Sequence, residues 1–285
     1  MRCFRLKYYQ ELCQIEKGKG IRMERNKLNK FFSRKTIEGL LKSTPSNELL
    51  EEVKYSNILY EQMSNNYRNE YYYKNMIFNK LVMGKYSLST TFAMSEVPVN
   101  KSKADFIVIN SKKDFVIEIK TELDTLDKLI YQIEDYYKIS SLVYVLVSES
   151  NFYPVFRMLR ETNVGILVLT KKNTISLKRE AVNDYSKLSH ESLFKLLRKN
   201  EYENIIKREF REIPKVMVVE KFQVCFQFFK TIEIKKSKNL VFEQLNRRRN
   251  EIDIEYINQV PQELRWMVYL SRLNREKYER LLNNL

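Results

Sequence analysis

Apolar residues change their spacing twice along this chain of 285 residues. Between Leu88 and Thr170 they gather in short β-branched or aromatic runs, and on either side they recur at helical intervals. The runs at 89–94, 104–110 and 114–120 predict three strands. Those at 142–147 and 164–169 predict two more, so rich in Val, Ile and Leu that both of their faces should be covered. Between them, 124–139 predicts an amphipathic helix with Leu126, Leu129, Ile130 and Ile133 as its apolar stripe. Residues 1–66 read as helical, broken at Ser43-Thr44-Pro45-Ser46-Asn47, where Ser46 or Asn47 suits the cap of a helix starting at Glu48. A longer helix is expected from Asn57 to Met83. Residues 178–285 read as mainly helical, with Ser189 as a cap, while 216–236 is too apolar and aromatic to divide between helix and strand. The order helix, three strands, helix, strand, helix, strand predicts an α/β fold with a mixed sheet flanked by helices. Three regions follow: a helical N-terminal extension at 1–66, a core at 67–177, and a helical C-terminal region at 178–285.

Charge adds the first functional hint. The chain carries 51 Lys and Arg against 36 Asp and Glu, a formal net charge of +15. An excess of this size suits a polyanion, nucleic acid or an anionic surface, although a Lys-rich composition also arises from AT-rich coding. Basic residues outnumber acidic ones by 13 to 8 in 1–66, 15 to 12 in 67–177 and 23 to 16 in 178–285. The middle region is the least basic, as a cation site flanked by polyanion-holding segments would be. No run of 18 apolar residues predicts a membrane span, and the first residues lack the apolar core of a signal peptide. Cys3, Cys13 and Cys225 cannot all pair and have no zinc-like spacing. The expected location is the cytoplasm.

The chemistry concentrates on two strands. Asp105 interrupts one apolar run, and Glu118 with Lys120 interrupts the next. Charge on a buried strand is costly without a partner. Residues two apart on a strand share a face, so Glu118 and Lys120 point the same way. If the hairpin turns symmetrically about Ser111 and Lys112, paired residue numbers sum to 223, and Asp105 falls opposite Glu118. Directly opposite side chains have Cβ atoms about 4.5–5.5 Å apart, close enough for two carboxylates to share a hard divalent cation.

Asp105 followed by Glu118-Ile119-Lys120 after a hairpin resembles the D…E-x-K signature of the PD-(D/E)XK nuclease superfamily, with Ala104 where that motif has its Pro. Gln132 and Tyr136, four apart on the next helix, resemble the Q-x-x-x-Y motif of its RecB-like branch. Glu70, on the helix before the sheet, stands where the superfamily often supplies another acid; Glu96 is its rival. More narrowly, Asn69-Glu70, the Asp105 strand and the segment 118–124 are similar to a family of RecB-like proteins from bacterial mobile elements. The resemblance covers residues 67–150. It implies a restriction-endonuclease-like core with helical extensions at both ends. It also implies a divalent-metal-dependent nuclease acting on nucleic acid, DNA before RNA, in defence or mobile-element biology. Asp105, Glu118, the Ile119 carbonyl and Glu70 would hold Mg2+ or Mn2+. Lys120 would position water or stabilise charge, and Gln132 and Tyr136 would orient Lys120 or the substrate.

Plainer readings stand beside these. Asp105 and Glu118 suit edge-strand gatekeepers. Glu70 suits an ion pair with Lys74, and Gln132 and Tyr136 suit the polar shoulder of a helix. Asp124 suits a helix cap. Arg247, Arg248 and Arg249 are candidates for docking phosphates, or a solvated face. His190, the single histidine, lies far from the acids, and no Gly-rich phosphate loop is present. Two alternatives to the nuclease are a non-catalytic nucleic-acid-binding module with a degenerate nuclease fold and a transposon-type end-nicking subunit of a larger complex. A protein partner or a second copy of the chain stays open.

Overall fold

The computed structural model describes residues 24–110 and 112–285, so Cys3, Cys13, Ser111 and the first part of the N-terminal extension lie outside the described residues. The described residues divide into two compact units, one of 24–81 with 250–285 and one from 82–249. These boundaries differ from 66/67 and 177/178 because the last segment packs onto the first helices. Trp266 lies against Phe78 with ring centroids 5.4 Å apart, and Tyr269 against the same ring at 4.7 Å. Asn75, almost fully buried, donates to the Tyr60 hydroxyl and the Gln262 carbonyl and accepts from the Trp266 backbone N–H. Such long-range contacts leave no trace in local periodicity.

Within this helical unit, Ser46 caps the helix Asn47–Lys54 by accepting from the Leu49 N–H. The long helix expected over 57–83 is interrupted. Ser56–Asn66 ends, Asn69 caps a new helix Glu70–Ile77 by accepting from the Tyr72 N–H at 3.0 Å, and Phe78–Met83 winds as a π-helix. Asn competes well for that cap position and poorly for a helix interior.

The second unit holds a six-stranded mixed sheet. Its strands are β1 (Thr91–Met94), β4 (Phe106–Asn110), β5 (Asp114–Lys120), β6 (Val143–Ser148), β7 (Gly165–Leu169) and β8 (Ile175–Arg179), in the order β1-β4-β5-β6-β7-β8. A separate hairpin pairs β2 (Val97–Val99) with β3 (Ser102–Ala104). Pairing is antiparallel from β1 to β5, parallel through β5-β6-β7, and antiparallel again at β8. β6 and β7 are buried along their whole length, as central strands covered on both faces must be. The helix Leu129–Tyr136 packs on β3 and β5, and Ile234–Asn246 packs on β1 and β4.

Two local expectations change, and one segment left open is decided. The strand read over 104–110 is two strands, β3 and β4, with a bend at Asp105. The helix read from 124 begins at Leu129, because Asp124 turns back to accept from the backbone N–H and hydroxyl of Thr121 instead of capping a helix; Ile130 is 37% exposed, outside the apolar stripe. Residues 218–230 resolve as a helix. His190 is structural, with Nε2 2.8 Å from the Ile232 carbonyl and its ring edge-on to Phe229. Among the described residues no helix is long and apolar enough to cross a membrane.

Candidate functional site

The β4–β5 ladder pairs Phe106 with Ile117 and Ile107 with Val116, the register whose residue numbers sum to 223. Asn110 donates to the Lys113 carbonyl, so hydrogen-bonded pairs fall at every second position from there. The continued ladder would match Ile119 with Ala104. It does not, because β3 has turned away to pair with β2. The Asp105 carboxylate takes over, accepting the Ile119 N–H at 2.8 Å. The N–H and C=O of one strand residue point to the same edge, so the Ile119 carbonyl faces the side of the sheet where Asp105 stands.

Glu118 and Lys120 follow on one face of β5, and both are buried, Glu118 at 1% exposure and Lys120 at 8%. Their charged groups meet at 2.9 Å. The Lys120 ammonium also donates to Gln132 Oε1 at 2.9 Å, and the Tyr136 hydroxyl lies 2.5 Å from Glu118 Oε2. Gln132 and Tyr136 are one helical turn apart on Leu129–Tyr136, which is why both reach the same strand. Burial, reinforced by Glu118, drives the Tyr136 hydroxyl far above its ordinary range, so it stays a donor. It also approaches the Lys103 carbonyl at 2.8 Å; with a single hydrogen to give, an ionised carboxylate is the stronger acceptor. Gln132, Tyr136, Glu118 and Lys120 thus form one bonded cluster, and Asp105 is tied to the peptide between its two charged members.

Sequence reading missed Asp135. Burial pushes its carboxyl up, but hydrogen bonds from Lys138, Ser102 and Asn100 outweigh that and hold it below the usual carboxylate range. Through Ser102 Oγ at 2.7 Å and Asn100, it ties the β2–β3 hairpin, and hence the approach to Asp105, to the helix carrying Gln132 and Tyr136. Its neighbour Glu134 is exposed, and nothing in the local pattern tells the two apart. Asn151 fixes the other side of the strand end by donating to the Thr121 carbonyl at 2.8 Å.

Of the two further acids, Glu96 shares the unit of Asp105. It sits in the turn before β2 with a left-handed φ of 57°, pairs with Lys103, and offers a carboxylate oxygen within 4.8 Å of one on Asp105. Glu70 belongs to the helical unit, where it opens Glu70–Ile77 and pairs with the buried Lys74, as the i,i+4 reading expects. The oxygen donors of Asp105, Glu96, Glu118 and Ile119 are chemically suited to a hard divalent cation. Glu118 already accepts from Lys120 and Tyr136, yet an ionised carboxylate has about four acceptor sites, so capacity remains.

The arginine run does not act as one surface. Arg248 is largely buried and grips Glu201 through Nε at 2.6 Å and Nη2 at 2.5 Å, with a further bond to the Leu196 carbonyl. Arg247 is exposed and pairs with Glu243, and Arg249 turns to the Asn246 carbonyl. Arg248 is therefore a fastening between helices, because a buried guanidinium needs a carboxylate.

Fold and cluster together define an α/β unit with a mixed six-stranded sheet and a buried Glu–Lys–Gln–Tyr cluster at the end of its β5 strand. The chain belongs to the family described as bacteriophage P4 protein cII, whose family model matches residues 63–275. No curated protein and no solved structure matches it.

Proposed function

We propose that the 82–249 unit has a restriction-endonuclease-like core of the PD-(D/E)XK type, and that the protein is a divalent-metal-dependent nuclease hydrolysing phosphodiester bonds, DNA before RNA. The observation that carries this reading is the convergence of Asp105, Glu118, Lys120, Gln132 and Tyr136 on one strand end. Glu118, Lys120, Gln132 and Tyr136 are joined there through short polar contacts, and Asp105 accepts the N–H of Ile119, the residue between the two charged members. A chance set of strand charges has no reason to recruit both a glutamine and a tyrosine from one helix face.

Asp105, Glu118 and the Ile119 carbonyl would hold Mg2+ or Mn2+, with Glu96, in the same unit, offering a further carboxylate oxygen within 4.8 Å of one on Asp105. Bound there, the ion would lower the pKa of a water and offset charge on the scissile phosphate. Gln132 holds the Lys120 ammonium by its carbonyl oxygen, which sets where that positive charge sits. From that position Lys120 orients the attacking water or meets the charge developing on the phosphate. Tyr136 holds Glu118 by one oxygen and so limits its rotation. The basic excess of the chain would raise the local concentration of a polyanionic substrate.

One observation favours a second reading, a non-catalytic nucleic-acid-binding module. Glu118 at 1% exposure is satisfied by its neighbours without any ion. Thermal melts with and without millimolar manganese separate the two. A ligand that binds only the native state stabilises it by about 2.7 kcal/mol at one hundred times its Kd. The nuclease reading expects a raised melting temperature in the wild type and a much smaller rise in Asp105→Asn and Glu118→Gln. An absent response, repeated with a short oligonucleotide to supply phosphates, favours the binding module.

A further inference from the structure

Nearly all aromatic side chains of the described residues are covered, and two tyrosines depart from this by a wide margin. Tyr131 is 71% exposed and Tyr153 70%, while the next aromatic, Phe156, reaches only 39%. Single exposed apolar side chains are ordinary, so position decides what these two mean. Tyr131 is the third residue of the helix Leu129–Tyr136, which follows β5. Tyr153 is the second residue of the helix Phe152–Met158, which follows β6. Because β5, β6 and β7 are adjacent and parallel, both helices start at the same end of the sheet, where Lys120 lies. Crossovers between neighbouring parallel strands are right-handed, so the two helices also cover the same face.

Each tyrosine is tied to the strand end through the chain beside it. Gln132, next to Tyr131, takes the Lys120 ammonium, and Asn151, two residues before Tyr153, donates to the Thr121 carbonyl. Tyr131 precedes Asp135 by four residues and stands one turn above it, on the flank fastened to the β2–β3 hairpin. The half-buried Phe152 ring supports Tyr153, with centroids 5.1 Å apart, and the exposed Arg157 shares the Tyr153 flank one turn on.

The charge around them argues against a duplex. The loop that leads from β5 to the helix carrying Tyr131 exposes Glu122, Asp124 and Asp127 against Lys128 alone. Duplex DNA carries one negative charge per about 1.7 Å of its axis and is held by basic faces, so an acidic loop holds it poorly. An aromatic ring stacks on any unpaired base and needs no charge to do so. Paired bases stack on one another and offer no such face.

Resting on the nuclease reading of the adjoining cluster, we propose that Tyr131 and Tyr153 are base-stacking platforms and that the substrate is a single strand. Its bases lie on the two rings, and its backbone passes the end of β5 towards Arg157.

Fluorescence anisotropy of the full chain, in chelator and again in calcium, tests this. The labelled probes are a short single strand as DNA and as RNA, its duplex, and a strand of the same length made of abasic units. The intact strand should bind about tenfold or more tightly than the abasic strand, and more tightly than the duplex. Tyr131→Ala and Tyr153→Ala lie at exposed positions and should melt like wild type. Each should weaken the intact strand by about fivefold or more and leave the abasic strand unaffected, with Tyr→Phe restoring most of the loss. That loss should persist as salt rises, unlike the contribution of phosphate contacts. No strand binding, equal binding of intact and abasic strands, or alanine variants that bind like wild type would overturn the proposal and leave the surface to a protein partner. Cleavage in manganese keeps the two readings apart. A protein with these binding effects that cuts nothing keeps the platforms and loses the nuclease. One that cuts duplex as well as single strand, undiminished in the alanine variants, keeps the nuclease and loses the platforms.

Discussion

Asp105 accepts the Ile119 backbone N–H at 2.8 Å, standing in for the Ala104 carbonyl that a continued β4–β5 ladder would supply. This bond gives Asp105 a structural task as well as its proposed chemical one, and two substitutions separate them. Asn keeps an acceptor for Ile119, whereas Ala leaves a half-buried N–H unmatched, at a cost of about 1–3 kcal/mol. Asp105→Ala should therefore unfold at clearly lower urea than Asp105→Asn, while both lose cleavage. Equal stability of the two would remove the structural role.

The Glu118–Lys120 pair should show strong coupling. Removing one member of a buried pair leaves an uncompensated charge and typically costs about 3–5 kcal/mol, whereas removing both is much less harmful. Lys120→Met and Glu118→Gln, measured singly and together by chemical denaturation, should give a coupling energy above about 1 kcal/mol. Additive effects would mean the two groups are not in contact in solution.

Tyr136→Phe tests the hydroxyl without disturbing the ring. Losing one charge-assisted donor to Glu118 should cost about 1.5–3 kcal/mol of stability. If Tyr136 orients Glu118 in the reaction, turnover should fall more than substrate binding. A fall in binding alone would move Tyr136 from orienting Glu118 to shaping the substrate surface.

Arg248 and Arg247 should behave differently although adjacent. Arg248→Gln strands the buried Glu201 and should destabilise by about 3 kcal/mol or more, while Arg247→Gln removes an exposed pair worth less than about 1 kcal/mol. Only Arg247 and Arg249 are then candidates for changing the salt dependence of nucleic-acid binding. A stable Arg248→Gln variant with a flattened salt slope would restore the docking role to the whole run.

Asp253, in the helical unit, sets a pH dependence. Burial pushes its carboxyl from 3.8 up to about 6, against a short hydrogen bond from Tyr278. Between these values the folded state holds a proton the unfolded state has lost, so this group lowers stability as pH rises from 4 to 6. A shift near two units corresponds to about 3 kcal/mol as an upper figure. Asp253→Asn should gain stability relative to wild type as pH increases across that window, read from melting temperatures at pH 4 and pH 7. Parallel curves for the two proteins would contradict the raised value.

Much of the site was legible because strand rules are strict. Alternation put Glu118 and Lys120 on one face, and a symmetric hairpin gave the observed register from residue numbers alone. Four-residue spacing put Gln132 and Tyr136 together. What was not legible depends on side chains competing with the backbone. Asp105 bends its strand by taking a ladder N–H, Asp124 closes a turn on Thr121, and Asn69 stops a helix that periodicity would continue. The edge strand β8 is short and half polar, so its pattern resembles a loop. The return of 250–285 onto the first helices rests on contacts such as Trp266 with Phe78, which no local window contains.

The most direct measurement of the central claim is cleavage itself. Wild type, Asp105→Asn and Glu118→Gln, each shown to be folded, would be incubated with single- and double-stranded DNA and RNA, in manganese or magnesium and in chelator. The proposed nuclease cuts at least one substrate, DNA first, only with the divalent ion. Both variants should lose about a hundredfold or more, in line with removing a group that acts on transition-state charge. Failure of folded wild type to cut any of the four, or near wild-type cutting by Glu118→Gln, would contradict the account.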